Sequence, residues 1–230
     1  MRERRLRVAI DGPAGAGKSS VARAVARKLG YTYLDTGAMY RAVALIAVQR
    51  GIPLDDPAAL GEMARSLHIT ACEEDGVFRV WVDGVELTHR LRDPGTDKAV
   101  KFLAMHRPVR EVLVEIQRSL AREGSVVMEG RDITSVVLPD AEVKVFLTAD
   151  VRERARRRWQ ELQLKGVKIS WEEVLEELIQ RDRKDLERDW GKLVRVPDAV
   201  LVDTTGKTQD EAVAEILRLC EEKKIALRSH

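Results

Sequence analysis

The sequence predicts an α/β fold with a parallel five-stranded core sheet, and three observations carry that expectation. The chain opens on a strand, a glycine loop and a helix. Two later runs, "GSVVMEG" at 124–130 and "EVKVFLTA" at 142–149, are apolar enough to be buried on both faces, as central parallel strands are. Strand and helix patterns then alternate along most of the chain. One stretch breaks the rhythm: between 68 and 88 the runs "HITACEE", "GVFRVWV" and "VELT" alternate around Asp75–Gly76 and Asp83–Gly84, which predicts small antiparallel hairpins.

Taken in order, "RLRVAID" (5–11) reads as a short buried strand. From Lys18, the residues Val21, Val25 and Leu29 recur at helical spacing until Gly30 ends the helix. "YTYLD" (31–35) is the second strand, followed by a helix from about 36 to 50 that stops at "RGIP". Helical patterning returns over 96–122 with a break near Pro108, because a proline ring clashes inside a helix. Beyond the two core strands come charged helices at 151–165 and 170–189, a last strand "DAVLVDT" (198–204) and an amphipathic helix over 208–224. With 230 residues, no internal repeat and no low-complexity linker, one domain is expected.

Composition narrows the classes. Hydrophobic residues at 44% and charged residues at 34% suit a globular protein with a sizeable core, and a net charge of +2 gives no overall basic field for nucleic acid. Cys72 and Cys220 form no CxxC pair and have no histidines at zinc spacing, which fits a reducing compartment and no metal framework. After the basic start "MRERRLR" only Val8, Ala9 and Ile10 precede Asp11, so no signal-peptide core is present, and the longest apolar run, "AVALIAV" (42–48), is far shorter than a membrane span. A cytoplasmic protein without membrane contact is expected. The chain contains no asparagine, a depletion also met in heat-adapted proteins.

Gly12, Gly17, Lys18 and Ser19 satisfy GxxxxGK[ST] between a predicted strand and a predicted helix, the context in which this motif cradles phosphate. Backbone N–H groups along Gly12, Pro13, Ala14, Gly15, Ala16, Gly17, Lys18, Ser19 and Ser20, proline excepted, would face a nucleoside triphosphate at a helix N-terminus. Lys18 would bridge the β- and γ-phosphates of ATP, and Ser19 would ligate Mg²⁺. The fold class is therefore the three-layer P-loop NTPase type. A GTPase switch reads guanine through Asn-Lys-x-Asp, which a chain without asparagine lacks. A water-activating ATPase usually ends a strand in Asp-Glu, whereas "VVMEGRD" ends in Glu129, Gly130, Arg131 and Asp132, which suits a second substrate better.

Transferring a phosphoryl group requires positioned cations more than acid-base help. Arg41, Arg110, Arg131, Arg181 and Arg188 are spread along the chain so that only the fold could gather them. Arg181, Asp185 and Arg188 follow i, i+4, i+7 and are expected on one helix face, either as a site or as a solvated, salt-bridged surface. The run "RERARRRWQELQLKG" (152–166) is either a plain basic helix or a lid whose arginines close over phosphates, Arg157 among them. Glu129 has two readings, a water-mediated Mg²⁺ contact or a structural partner. His68, His89, His106 and His230 show no catalytic or metal spacing, and Trp81, Trp159, Trp171 and Trp190 are expected to pack rather than stack.

The blocks "IDGPAGAGKSSVA", "YLDTGAMYRA", "RPVRE", "EGRDI", "LPDAEVKVFLTA" with "RARRR", and "RDRKDLERD" with "DAVLVDTT" resemble the bacterial cytidylate kinase family, in order and over nearly the whole chain. "LDTGAMYR" and "GRDI" separate this family from adenylate, guanylate and shikimate kinases. The resemblance implies transfer of the ATP γ-phosphoryl group to CMP or dCMP with Mg²⁺. It implies a nucleoside-monophosphate-binding insertion over about 37–110 and a lid over about 152–168, in a monomer acting on small molecules without nucleic acid or membrane. It further implies that Arg41, Arg131 and Arg188 hold the CMP phosphate, that Thr36, Arg181 and Asp185 face the ribose, and that Arg110 and Asp132 read cytosine. Lys18, Arg131, Arg188 and Asp132 are the catalytic candidates. Asp35 is a further substrate candidate or simply a helix cap.

Three positions depart from the family pattern. Thr134 and Ser135 follow "GRDI" where Gly-Thr is usual, and "GKL" (191–193) stands where Pro-Leu is common. Lys101 occupies a position where a base-contacting serine is often found, which makes it a substrate-side candidate and bears on discrimination against UMP. A kinase for another small acceptor, or a nucleotide-binding protein without transfer, remain the alternatives.

Overall fold

The computed structural model describes residues 5–229 apart from 75, 92 and 94, with the backbone alone for residue 97. The basic start of the chain, residues 1–4, lies outside the described residues, as do Asp75 and His230. In chain order the strands are β1 (Arg7–Asp11), β2 (Thr32–Asp35), β3 (Ile69–Glu74), β4 (Val77–Val82), β5 (Val85–Glu86), β6 (Val126–Gly130), β7 (Val143–Thr148) and β8 (Val200–Asp203). The helices are α1 (Lys18–Leu29), α2 (Thr36–Gln49), α3 (Pro57–Ser66), α4 (Thr96–Leu103), α5 (Arg107–Leu120), α6 (Val151–Leu164), α7 (Trp171–Glu187) and α8 (Gln209–Arg228).

The core sheet runs β2-β6-β1-β7-β8, and every pairing is parallel. All five residues of β6 are buried, as are Val8 to Asp11 of β1, because helices cover both faces of a central parallel strand. Helices α1 and α8 pack together against the sheet, and α2, α3 and α5 form a second helical group. Parallel strands bring their carboxyl ends to one edge, where ligands of such sheets bind. The glycine loop, Thr36, the segment 130–132, Ala149 and Thr204 all emerge there. The register Asp11↔Gly130 and Asp35↔Glu129 puts three of these roots level with one another.

The antiparallel stretch forms a separate sheet in the order β3-β4-β5. Its pair Val82↔Val85 leaves two residues in the turn, and Asp83 and Gly84 take φ of +51° and +80°, the positive values a tight hairpin demands. Phe78, Val80, Val82, Leu60 and Leu103 from this region join one continuous apolar core with the sheet. A second, smaller core lies apart: Ala14, Ala155, Val174 and Leu178, edged by Trp159, Leu162, Ile169, Trp171 and Leu175, fastens α6 to α7.

The break expected near Pro108 is present: the helical pattern over 96–122 is two helices, with Pro108 in the first turn of α5, where its missing N–H costs nothing. Other elements differ from the sequence expectation. Helix α3 was not expected, although Asp56 accepts from Ala58 N and Ala59 N ahead of Pro57, an ordinary start signal. The strand-to-helix link after β6 winds into a π-helical turn, Ile133–Val137. Helix α7 stops at Glu187, so Arg188 does not continue the i, i+4, i+7 face: its backbone turns extended and its guanidinium folds back to Asp185. Among the described residues no helix is long and apolar enough to cross a membrane.

Candidate active site

On the donor side, the loop after β1 runs so close to β7 that a Cβ on Gly12 would lie 1.9 Å from the Leu147 carbonyl oxygen. Gly15 and Gly17 take φ of +76° and +89°, and no side chain caps α1. The first-turn N–H groups of α1 are thus left for an anion. Lys18 is 5% exposed and donates to the Pro13 carbonyl at 2.8 Å. Burial, and next the Arg131 guanidinium, push its ammonium down to about 7 against the pull of Glu129. Ser19 Oγ donates to Glu129 Oε1 at 2.6 Å, and the Tyr33 hydroxyl reaches the same oxygen at 3.3 Å. Burial, with Asp35 nearby, raises the Glu129 carboxyl.

One strand away lies a second polar centre. Asp35 caps α2 by accepting from Ala38 N at 2.9 Å, as its cap reading expects, and also pairs with Arg41 at 3.0 Å. Thr36 Oγ1 donates to the Glu129 carbonyl at 2.8 Å, and a Cβ on Gly130 would fall 2.7 Å from that hydroxyl. Arg131 Nε donates to Asp185 Oδ2 at 2.8 Å while Arg188 Nη2 bonds Asp185 Oδ1, so one buried carboxylate holds two guanidinium groups. Burial, with Arg110 and Arg131 close by, lowers Arg188 to about 10, which leaves it a cation at neutral pH.

Arg110 is 2% exposed and stretches between Asp132 Oδ2 at 2.5 Å and the Ala104 carbonyl at 2.9 Å. Its guanidinium carbon sits 5.4 Å from the Tyr40 ring centroid and 5.6 Å from that of Trp190. A Cβ on Gly191, where φ is +68°, would strike Arg110 Nη2 at 2.4 Å and Asp132 Oδ2 at 2.5 Å. The departure "GKL" therefore places a glycine where the pair leaves room for nothing larger. The other departure, Thr134, serves a mount: Asp11 accepts from Ile133 N (2.8 Å), Thr134 N (2.7 Å) and Thr134 Oγ1 (2.6 Å), although burial still raises its carboxyl to about 6.

Arg41, Arg110, Arg131, Asp132, Asp185 and Arg188 are brought together, and Lys18, Ser19 and Glu129 adjoin them. Arg181 is exposed on α7, one turn before Asp185, and Lys101 is exposed on α4 without a contact to Arg110 or Asp132. The basic run of α6 divides. Arg157 donates to the Thr204 carbonyl at 2.7 Å and to Glu153, while Arg156 and Arg158 pair with Glu153 and Glu161 on the surface. Tyr40 and Trp190 are site residues that the sequence reading did not assign. Trp159 and Trp171 pack as expected, but Trp190 stacks on Arg110, and no local pattern around it signals a partner 80 residues back. Tyr40 lay within a motif block already singled out. Its hydroxyl is buried without a partner, as are Arg41 Nε, Arg110 Nε and Arg188 Nε.

A model of the cytidylate kinase family matches residues 8–222. Cytidylate kinase of Desulfitobacterium hafniense (strain Y51) is 48% identical over 96% of this chain and 95% of its own length. That of Symbiobacterium thermophilum is 47% identical over 94% and 96%. Among solved structures, an uncharacterized protein from Eubacterium ventriosum ATCC 27560 aligns over 93% of this chain and 96% of its own, at 12% identity and a TM-score of 0.52, a likeness of fold alone.

Proposed function

The chain belongs to the cytidylate kinase family, and from that premise we propose that it transfers the γ-phosphoryl group of ATP to CMP or dCMP, releasing ADP and CDP or dCDP. The observation that carries the reading is the set of orphaned donors: three buried guanidinium Nε groups and a buried tyrosine hydroxyl converge beside the P-loop with nothing to bond. Buried polar atoms are rarely left so, and a polyanionic, hydrogen-bonding acceptor supplies what they lack.

A CMP phosphate oxygen attacks the γ-phosphorus while the bond to the β,γ-bridging oxygen breaks towards ADP. Lys18 follows the β- and γ-phosphates. The CMP phosphate takes Arg131 and Arg188 from Asp185, joined by Arg41. The freed Asp185 carboxylate then accepts from the ribose, beside Thr36 and Arg181. Asp132 accepts from the cytosine amino group and Arg110 donates to its O2 or N3. Asp35 fixes Arg41, and Lys101 stands at the rim of the base site. Mg²⁺ would suit the residues present: the Ser19 hydroxyl would ligate it and the Glu129 carboxylate, in contact with that hydroxyl, would reach it through water, both being hard oxygen donors. Bound there, the ion would neutralise charge on the β- and γ-phosphates.

Residues 37–110 serve as the acceptor-binding insertion and 152–168 as the lid, both closing on substrate to exclude water. The enzyme acts in the cytoplasm as a monomer on small molecules. The test is ADP formation from MgATP with CMP, dCMP, UMP, AMP, GMP and shikimate. A strong preference for CMP and dCMP is expected; equal use of UMP would overturn cytosine specificity and point to Lys101, and no transfer to any acceptor would overturn the kinase reading.

A further inference from the structure

Arg154 lies in the first turn of α6 and is buried. It is 5% exposed and its guanidinium is engaged through two nitrogens: Nε donates to the Ala149 carbonyl at 2.9 Å, Nη1 donates to the Ala14 carbonyl at 3.0 Å, and Asp182 Oδ2 of α7 pairs with Nη1 at 2.8 Å. The Ala14 carbonyl belongs to the apex of the glycine loop. Its peptide continues into Gly15, whose φ of +76° is a conformation that glycine enters and leaves at little cost. In a trans peptide the carbonyl and the following N–H point in opposite directions. Holding the Ala14 oxygen therefore fixes the Gly15 N–H on the face away from Arg154, and a flip of that one peptide would present an oxygen where the loop needs a donor for phosphate. The helix is also wedged against the loop, since a Cβ on Gly15 would lie 3.2 Å from both Arg154 Cβ and its carbonyl oxygen.

We propose that Arg154 is a positioning residue for ATP, locking the Ala14–Gly15 peptide in its anion-binding orientation, with Asp182 as the counter-ion that keeps the guanidinium in place. The inference rests on ATP being the donor at this loop, and it does not depend on the identity of the acceptor. Asp182 sits one turn before Asp185 on α7, so the helix that holds the acceptor-side arginines also braces the donor loop.

The experiment is calorimetric binding of Mg²⁺ with the non-hydrolysable ATP analogue AMP-PNP, and separately of CMP, to the wild type and to Arg154→Met, Arg154→Lys and Asp182→Asn. Loss of one charge-assisted contact is worth about a tenfold weakening, so Arg154→Met is expected to bind AMP-PNP about ten times less tightly with CMP binding within about twofold. Guanidinium at about 20 mM, far below denaturing concentrations, should restore much of the loss in Arg154→Met. Arg154→Lys and Asp182→Asn should weaken AMP-PNP binding in the same direction by a smaller factor, and they carry the test if Arg154→Met does not fold. Unchanged AMP-PNP affinity in the folded variants, or equal losses for both ligands without guanidinium rescue, overturns the proposal. Failure of the wild type to bind CMP would instead count against the acceptor assignment and leave the AMP-PNP comparison decisive for Arg154.

Discussion

The acceptor centre and the lid are both arginine-rich, yet they are built on opposite plans. Around Asp132 and Asp185 the cations are buried or half-buried, and two of the three are held by a carboxylate from a distant part of the chain: Arg110 by Asp132 and Arg131 by Asp185, which also holds its near neighbour Arg188. In α6 most cations pair with glutamates three or four residues away on the surface, and among the described residues the apolar contacts beneath them form a core of their own that reaches beyond α6 and α7 through Ala14. Burying unpaired charge is costly, so under the proposed function these guanidinium groups would take ligand by exchanging partners as the insertion closes. Little apolar packing joins α6 and α7 to the main core, so polar contacts such as Arg154 to Ala14, Arg157 to Thr204 and Asp185 to Arg131 are what tie the two helices to the sheet edge.

Four experiments bear on that contrast, from the largest effect to the smallest. Lys18→Ala should lower turnover by about a hundred- to a thousandfold, with a thermal midpoint close to that of the parent. A large fall in midpoint would mean that the donor side is as structurally committed as the acceptor side. Asp132→Ala strands Arg110 without its counter-charge, which costs about 3–5 kcal/mol of stability for a buried pair. Denaturant unfolding should register that loss, and kcat/KM for CMP should fall much further than that for ATP. Trp159→Ala removes a side chain from the small core, worth about 2 kcal/mol for a half-buried aromatic. Hydrogen exchange should then speed up across 151–187 while the sheet keeps its protection; loss throughout would show that the lid is not separate.

The smallest effect is a proton. Burial holds Lys18 near about 7 before nucleotide arrives, and the phosphates of ATP favour its charged form, so binding raises that value. At pH 6 the amine is already protonated and little uptake is expected. At pH 8 a group of this pKa is about nine-tenths neutral, so MgATP binding should take up nearly one proton. Calorimetry in buffers of different ionisation heat measures it, and Lys18→Met should abolish it. No uptake at pH 8 would mean that the ammonium is charged in the empty site.

Much of this architecture is legible in the chain because it is locally determined. The glycine loop, the Asp83–Gly84 turn, the proline at the start of α5 and the apolar run Val126–Met128 of β6 each carry their reason within a few residues. The family blocks also located Arg131, Asp132, Asp185 and Arg188. Illegible features come from contacts across long separations. The π-helical turn follows from Asp11 gripping residues over 120 positions away, and no propensity announces it. Arg154 and Arg157 are indistinguishable within "RARRR", yet one props the glycine loop and the other binds Thr204. Periodicity carried Arg188 onto the helix face, but its bond to Asp185 needed only that the chain turn back after Glu187.

The pairing of Asp11 with Gly130 has a consequence for accuracy. In-line transfer tolerates little error in the gap between donor and acceptor, and moving parts are poor rulers. Here the loop that carries the donor and the segment that carries Arg131 and Asp132 leave adjacent strands at the same level, about 4.8 Å apart as all hydrogen-bonded strands are. The Asp11 carboxylate then bolts the second root to the first. The working distance is thus referred to a single rung of backbone ladder, among the least variable lengths in any protein, and under the proposed function the insertion and lid could move without being asked to measure.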